Sequence, residues 1–427
     1  MFALYSFSLA LALILYFPYY GLRTKFFRKE KLFLRQRLGQ GLPDGDPSRP
    51  TIWIHAVSVG EVLSLQSLVK KIRQRHPDWQ IHFSALTNTG YRMAMEKLQD
   101  ADHVFFVPLD FGWVVRRFFQ ALKPHLLVLA ESEFWPNLLR EAKRSDVCVL
   151  LINGRVSQRS YGRFRRLKPA VSKLLQPVDA FLVQTDLDRE RLIAVGIDPA
   201  RVEKAGNLKC EVDLPEMTGE SVRELKKNLG IGETRAIITA GSTRNGEEEQ
   251  LLKAFLEART GRDDPLFILA PRHIQRCPEV ERLCAGLGLS VVRRTEASWA
   301  HPAGDVLLLD TMGELARIYS LSDATFIGGS LVPWGGQNLL EPAYYQKPIF
   351  FGPHMENFSF LADEFLRAGG ARVVGSKKDL VEMFRLKDRD GLAEMGKRAR
   401  AVLGSLQGAT EKTIRTIERM MEAQRVG

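Results

Sequence analysis

Two successive series of short β-rich runs, each alternating with amphipathic stretches, constrain this chain more than any other feature. In the first series the runs are Thr51–Val57, Gln80–Leu86, Val104–Pro108, Leu126–Ala130, Val147–Asn153 and Ala180–Gln184. Helical patterns lie between them, as at Val62–Gln74 and Pro136–Lys143. Strands that alternate with helices imply a parallel sheet covered on both faces. The rhythm breaks at Cys210–Thr218, which is polar and proline-bearing. It then resumes with Arg235–Ala240, Leu266–Ala270, Ser290–Arg294, Val306–Asp310, Ala324–Gly328 and Pro348–Phe351. The pattern predicts an α/β chain of two doubly wound, Rossmann-like domains that face each other across a cleft. A length of 427 residues is enough for two such cores. The expected divisions are a segment 1–22, a domain 23–212 and a domain 213–427. Ligands of such sheets bind beyond the carboxyl ends of the strands.

The amino end differs from the rest. From Phe2 to Tyr20 no residue is charged, about the length a helix needs to cross the hydrocarbon core. The stretch lacks the basic start and the small-residue cleavage site of a signal peptide. It ends in Tyr16, Phe17, Tyr19 and Tyr20, which suit a membrane interface, and Arg23, Lys25, Arg28, Lys29, Lys31, Arg35 and Arg37 follow. Basic residues beside an apolar segment mark the cytoplasmic side and attract anionic lipid. The expectation is a single N-terminal anchor at a bacterial inner membrane, with the remaining mass on its cytoplasmic face.

The formal charge of +11 suits anionic lipid or phosphorylated substrates, and no nucleic-acid-binding motif accompanies it. Cys148, Cys210, Cys277 and Cys284 form no CxxC pair, so neither a zinc site nor a disulfide framework is implied.

Chemistry-bearing residues gather where strands end. His55-Ala-Val-Ser-Val-Gly-Glu61 follows the first strand, with Ser58 and Gly60 at a turn and Glu61 at a helix start. A carboxylate there can take a proton from an attacking hydroxyl; it can equally be a helix-start acid favoured by the dipole. In Glu131-Ser-Glu-Phe-Trp-Pro136, Glu131 and Glu133 would point one way if extended. They suit an acceptor sugar, or a helix cap plus a surface charge. Asn153-Gly-Arg-Val-Ser157 brings Arg155, then Arg159, Arg163, Arg165 and Arg166, which suit a phosphate or a membrane-facing surface.

In the second half, Ala240-Gly-Ser-Thr-Arg-Asn-Gly-Glu247 is a small turn able to offer amides to a phosphate, without the ending of a P-loop. Pro271-Arg-His273 stands at the next strand end. The segment Phe326 to Pro342 carries four glycines in one loop, so that a ligand can approach the backbone. Asn338 is read there as a cap for a helix whose amides hold a phosphate, and Glu341 as a partner for ribose hydroxyls.

Taken in order, HAVSVGE, ESEFWPNLL, NGRVS, GNLKCE, AGSTRNGEEE, APRH, DTMGELARIYSLSDATFIGGSLVPWGGQNLLEPA and FGPHMENF resemble the transferases of 3-deoxy-D-manno-octulosonic acid (Kdo) in lipopolysaccharide biosynthesis. The resemblance spans nearly the whole chain. It implies a GT-B glycosyltransferase, inverting and metal-independent, with no cofactor. CMP-Kdo would be the co-substrate, a lipid A precursor (lipid IVA) the acceptor, and inner-membrane lipid a further partner. On that resemblance Glu61 is the general base, and Ser58, Gly60, Glu131, Glu133 and Arg155 serve the acceptor. The donor would be held by Lys209, Ser242, Thr243, Arg272, His273, Gly313, Glu314, Gly328, Gly329, Ser330, Asn338 and Glu341. Lys209 would meet the donor's carboxylate. Two departures stand out: Gln337 replaces the usual His of the glycine-rich loop, and Gly154 stands where Ala is common. Gln donates and accepts hydrogen bonds but cannot become cationic, so position 337 carries no charge.

Overall fold

The computed structural model describes residues 5–15, 33–212, 214–261, 264–298 and 304–426. The chain forms two compact units. The first runs through Glu211 and takes up the chain again from Leu406; the second is Val212–Ser405.

In the first unit the strands are β1 (Thr51–Ala56), β2 (Gln80–Ala85), β3 (His103–Phe106), β4 (Leu126–Ala130), β5 (Cys148–Gly154), β6 (Ala180–Val183) and β7 (Val202–Lys204). All pair in parallel, in the order β3-β2-β1-β4-β5-β6-β7. Every residue of β1 and β4 is buried, as expected for central strands covered on both faces. Trp53 of β1 lies within the core, and its indole N–H donates to Ser84 Oγ at 2.8 Å. That bond removes the cost of burying the donor.

The second unit repeats the plan with β8 (Ile237–Thr243), β9 (Leu266–Pro271), β10 (Val291–Arg293), β11 (Val306–Leu308), β12 (Ala324–Ile327), β13 (Ile349–Phe351) and β14 (Ala371–Val373). Their order is β10-β11-β9-β8-β12-β13-β14, again parallel. In each sheet the chain reverses its direction of winding once, between β1 and β4 and between β8 and β12. A crevice opens at such a switch point, and ligands settle there.

The helices that bear on function are α1 (Val59–Arg75), α2 (Gly112–Leu122), α3 (Pro136–Arg144), α4 (Gln158–Arg166), α5 (Glu248–Ala258), α6 (Leu340–Tyr344) and α7 (Ala409–Val426). The last overturns the expected second boundary, because α7 belongs to the first unit and not to the second. Its apolar face, with Ile414, Ile417 and Met421, packs into the core formed by β1, β2, β4 and α1. Arg75 meets Glu411 at 2.6 Å and His76 meets Glu418 at 2.8 Å along its flank. Glu211 Oε1 accepts the amides of Gly408 and Thr410, capping the helix start from the other end of the unit.

Residues 5–15 are helical. Ser6 Oγ accepts from Asn137 Nδ2 at 3.1 Å, which ties this segment to α3. Phe7, Leu11, Ile14 and Leu15 are exposed. Among the described residues no helix is long and apolar enough to cross a membrane. Most of the expected anchor flank, from Tyr16 through Lys31, lies outside the described residues. Arg37 does not belong to a solvated basic cluster. It is buried, its guanidinium donates to the carbonyls of Leu86 and Val107, and burial lowers its pKa to about 10.

Candidate functional site

The switch point of the first sheet carries a carboxylate group of three. Glu61 stands in the first turn of α1, and Ser58 caps that helix. Ser58 Oγ donates to Glu61 Oε1 at 2.8 Å, and the Val57 amide donates to Oε2, also at 2.8 Å. The reciprocal cap folds the carboxylate back over the end of β1, so that Glu61 is only 7% exposed. Each carboxylate oxygen keeps lone pairs beyond these bonds. A side chain at Gly60 would meet nothing within 4 Å, so the backbone beside Glu61 is open to a ligand.

Glu131 and Glu133 follow β4, the strand across the switch point from β1. Glu133 Oε2 accepts from Trp135 Nε1 at 3.0 Å. Burial pushes its carboxyl up to about 7, and the nearby charges of Glu61 and Glu131 add to that rise. Near neutral pH this carboxyl therefore exchanges its proton readily, the property a general acid–base site needs. Glu131, at a left-handed φ of 56°, pairs with Lys209 Nζ at 2.7 Å. Lys209 thus stands in the first unit, paired with Glu131. Asp110 positions the whole loop by accepting the amides of Asn137 at 3.0 Å and Leu138 at 2.8 Å, at the start of α3.

Beneath the site lies His55, fully buried on β1. Its Nδ1 faces the Ser84 hydroxyl at 3.0 Å, and burial lowers its pKa from 6.5 to about 4, so the ring is neutral. Arg155 is exposed just past β5. Helix α4 follows and buries no side chain. Among the described residues Arg155, Arg159, Arg163, Arg165 and Arg166 have no carboxylate partner, so this face remains strongly cationic.

At the second switch point the structure corrects the reading of the glycine-rich loop. Glu247 is fully buried, and its carboxylate accepts the amides of Gly329 (2.6 Å), Ser330 (2.8 Å), Leu331 (2.8 Å) and Arg244 (2.8 Å). The amides of Gly329 and Ser330, two residues expected to hold the donor, are therefore engaged inside the protein. Gly328 serves packing, since a Cβ there would stand 2.4 Å from the Ser242 carbonyl oxygen. The helix expected to hold a phosphate is α6, only five residues long, and the Leu340 amide is already bonded to Asn338 Oδ1.

Other donor candidates are distributed along the strand ends. Ser242 adopts a left-handed φ of 57°, and Thr243 Oγ1 bonds buried Glu248 at 3.0 Å. Arg272 and His273 are exposed past β9. Gly313, at φ 83°, and Glu314 stand past β11, two strands from the switch point, with Glu314 paired to Arg294 at 3.0 Å. Glu341 is held by Asn338, and burial raises its pKa. Three residues missed by sequence reasoning belong here: Glu247, Arg244 and Trp334. Arg244 lies 4.9 Å from the Trp334 ring centroid and bonds His273 Nε2 through Nη1 at 3.0 Å. The position of Arg244 directly after the strand was the available signal. The contact with Trp334, 90 residues on, had none.

Comparison with known proteins adds the remaining evidence. Residues 33–212 match the family model described as 3-deoxy-D-manno-octulosonic-acid transferase. A 3-deoxy-D-manno-octulosonic acid transferase of Bordetella pertussis is 33% identical over 408 residues, covering 91% of this chain and 92% of that protein. A bifunctional glycosyltransferase/methyltransferase of Fusobacterium nucleatum is 36% identical over 387 residues, and the chain spans 58% of its length. A UDP-GlcNAc 2-epimerase from Neisseria meningitidis, bound to UDP-GlcNAc, superposes over 86% of this chain and all of that one with a TM-score of 0.56. At 12% identity that likeness concerns the two-domain GT-B fold alone.

Proposed function

Because the chain belongs to the 3-deoxy-D-manno-octulosonic acid transferase family, we propose that it transfers Kdo from CMP-Kdo to a lipid A precursor such as lipid IVA. The observation that carries this reading is the grouping of Glu61, Glu131 and Glu133 at the switch point of the first sheet. In the proposed reaction a hydroxyl of the acceptor attacks the anomeric carbon of Kdo while Glu61 takes its proton. The bond to CMP breaks as the new glycosidic bond forms on the opposite face, which inverts the centre. CMP departs with its own phosphate charge, and cationic side chains of the second unit stabilise that charge without requiring a metal.

The acceptor carries phosphates and acyl chains. The unneutralised arginines at Arg155 and along α4 suit the phosphates. The exposed apolar residues Phe7, Leu11, Ile14 and Leu15 suit a lipid surface. They support attachment to a membrane surface, which the proposed reaction places at the cytoplasmic face of the inner membrane.

Incubation of the protein with CMP-Kdo, generated in situ, and tetraacylated lipid A precursor tests the proposal by mass spectrometry. Product heavier by one or more Kdo residues supports it. No such product from protein that binds CMP would overturn the donor–acceptor assignment.

A further inference from the structure

An anionic donor at the second switch point calls for a positive group, and four of the main-chain amides there are already engaged. The amides of Arg244, Gly329, Ser330 and Leu331 all donate to Glu247. Two neighbouring arginines are also committed: Arg276 meets Glu248 at 2.6 Å, and Arg294 meets Glu314 at 3.0 Å. Arg244 differs. Among the described residues it has no carboxylate partner, and its buried Nε makes no hydrogen bond. Its guanidinium is nevertheless held in place, stacked 4.9 Å from the Trp334 centroid and bonded through Nη1 to His273 Nε2. A planar cation fixed by an aromatic face and an imidazole nitrogen, with no carboxylate paired to it, loses little freedom on meeting an anion.

Arg244 follows β8 and Trp334 follows β12, the two strands that flank the switch point. We propose that Arg244 is the side chain that binds the donor's anionic oxygens, and that Trp334 is a positioning residue that sets its guanidinium plane. This rests on reading the second unit as the donor domain. The anionic oxygens come from the nucleotide phosphate or from the carboxylate of the acidic sugar, and the two sources can be separated.

Titration of the full chain with CMP and with cytidine, and measurement of KM for CMP-Kdo, distinguish the outcomes. Arg244→Ala keeps the backbone bond to Glu247, so the loop retains its anchor. If Arg244 meets the phosphate, this variant binds CMP at least about tenfold more weakly while cytidine affinity is unchanged, in line with loss of a charge-assisted bond. If it meets the carboxylate, CMP affinity is kept and KM for CMP-Kdo rises at least about tenfold. Trp334→Ala is expected to give part of the same loss and Trp334→Phe to restore it. Unchanged CMP affinity together with unchanged KM in Arg244→Ala overturns the assignment. Equal donor binding by Trp334→Ala and wild type overturns the positioning role. A wild type that binds neither CMP nor CMP-Kdo instead refutes the donor-domain reading itself.

Discussion

The carboxylate of Glu247 holds the amide of Ser330 at 2.8 Å, across 83 residues of sequence. One buried acid thus fastens the turn after β8 to the loop after β12, taking four amides that would otherwise be orphaned.

Replacing Glu247 by Ala leaves those amides without an acceptor in a buried place. Each orphaned donor costs about 1–3 kcal/mol, and the losses do not simply add, so a total of roughly 3–5 kcal/mol is expected. For a unit of this size that corresponds to a fall in Tm of about 6–20 °C. Calorimetry checks it; a change within about 2 °C would show that water or a rearranged loop replaces the carboxylate.

Glu133 should make the first unit less stable as the pH rises. Its carboxyl is raised from 4.5 to about 7 in the fold, so the folded chain holds a proton there that the unfolded chain has already lost. Its favourable contribution is complete below about pH 4.5 and disappears as the pH climbs through about 7. Glu133→Gln removes this dependence, and thermal melts of the two proteins from pH 5 to 8 should therefore diverge. Parallel curves would contradict the shift.

His55 and His82 act in the opposite sense. Burial lowers both from 6.5 to about 4, so between those values the unfolded chain takes up protons that the fold refuses. Stability is intact above pH 6.5 and falls as the pH drops toward 4, by roughly 3 kcal/mol for fully buried His55. Melts of His55→Asn, which cannot take up that proton, should lose less between pH 6.5 and 4.5 than wild type. An equal loss would place the acid sensitivity elsewhere.

Glu211→Ala uncaps α7, since its Oε1 serves the amides of Gly408 and Thr410. Loss of a cap costs about 1 kcal/mol. Hydrogen exchange should quicken roughly fivefold in the first turns of α7 and remain unchanged in α5. Uniform protection in both proteins would show that apolar packing alone fixes the helix.

Much of this architecture could be read from the sequence because buried central strands are continuous apolar runs. Ile52, Trp53 and Ile54 announce β1, and Phe267, Ile268 and Leu269 announce β9. The edge strands β7 and β14 could not be read. Val202–Lys204 and Ala371–Val373 are three residues each and mostly exposed, so no apolar run marks them. The position of α7 was equally hidden, since its apolar stripe does not say which core it joins. Glu61 and Glu133 were legible because strand ends and motif order mark them. The engagement of Gly329 and Ser330 was not, because it depends on Glu247 folding back from a distant turn. Glycine density was read as room for a ligand, whereas Gly328 is small because two backbones touch there.

Single-turnover transfer by Glu61→Gln tests the central claim most directly. Gln keeps the shape of the side chain and an oxygen for the Val57 amide, but it cannot accept a proton. The account predicts a folded variant with wild-type CMP affinity whose Kdo transfer to the lipid A precursor is slowed at least about 100-fold, the scale of a lost general base. Transfer within about twofold of wild type would contradict it and move the base to another residue.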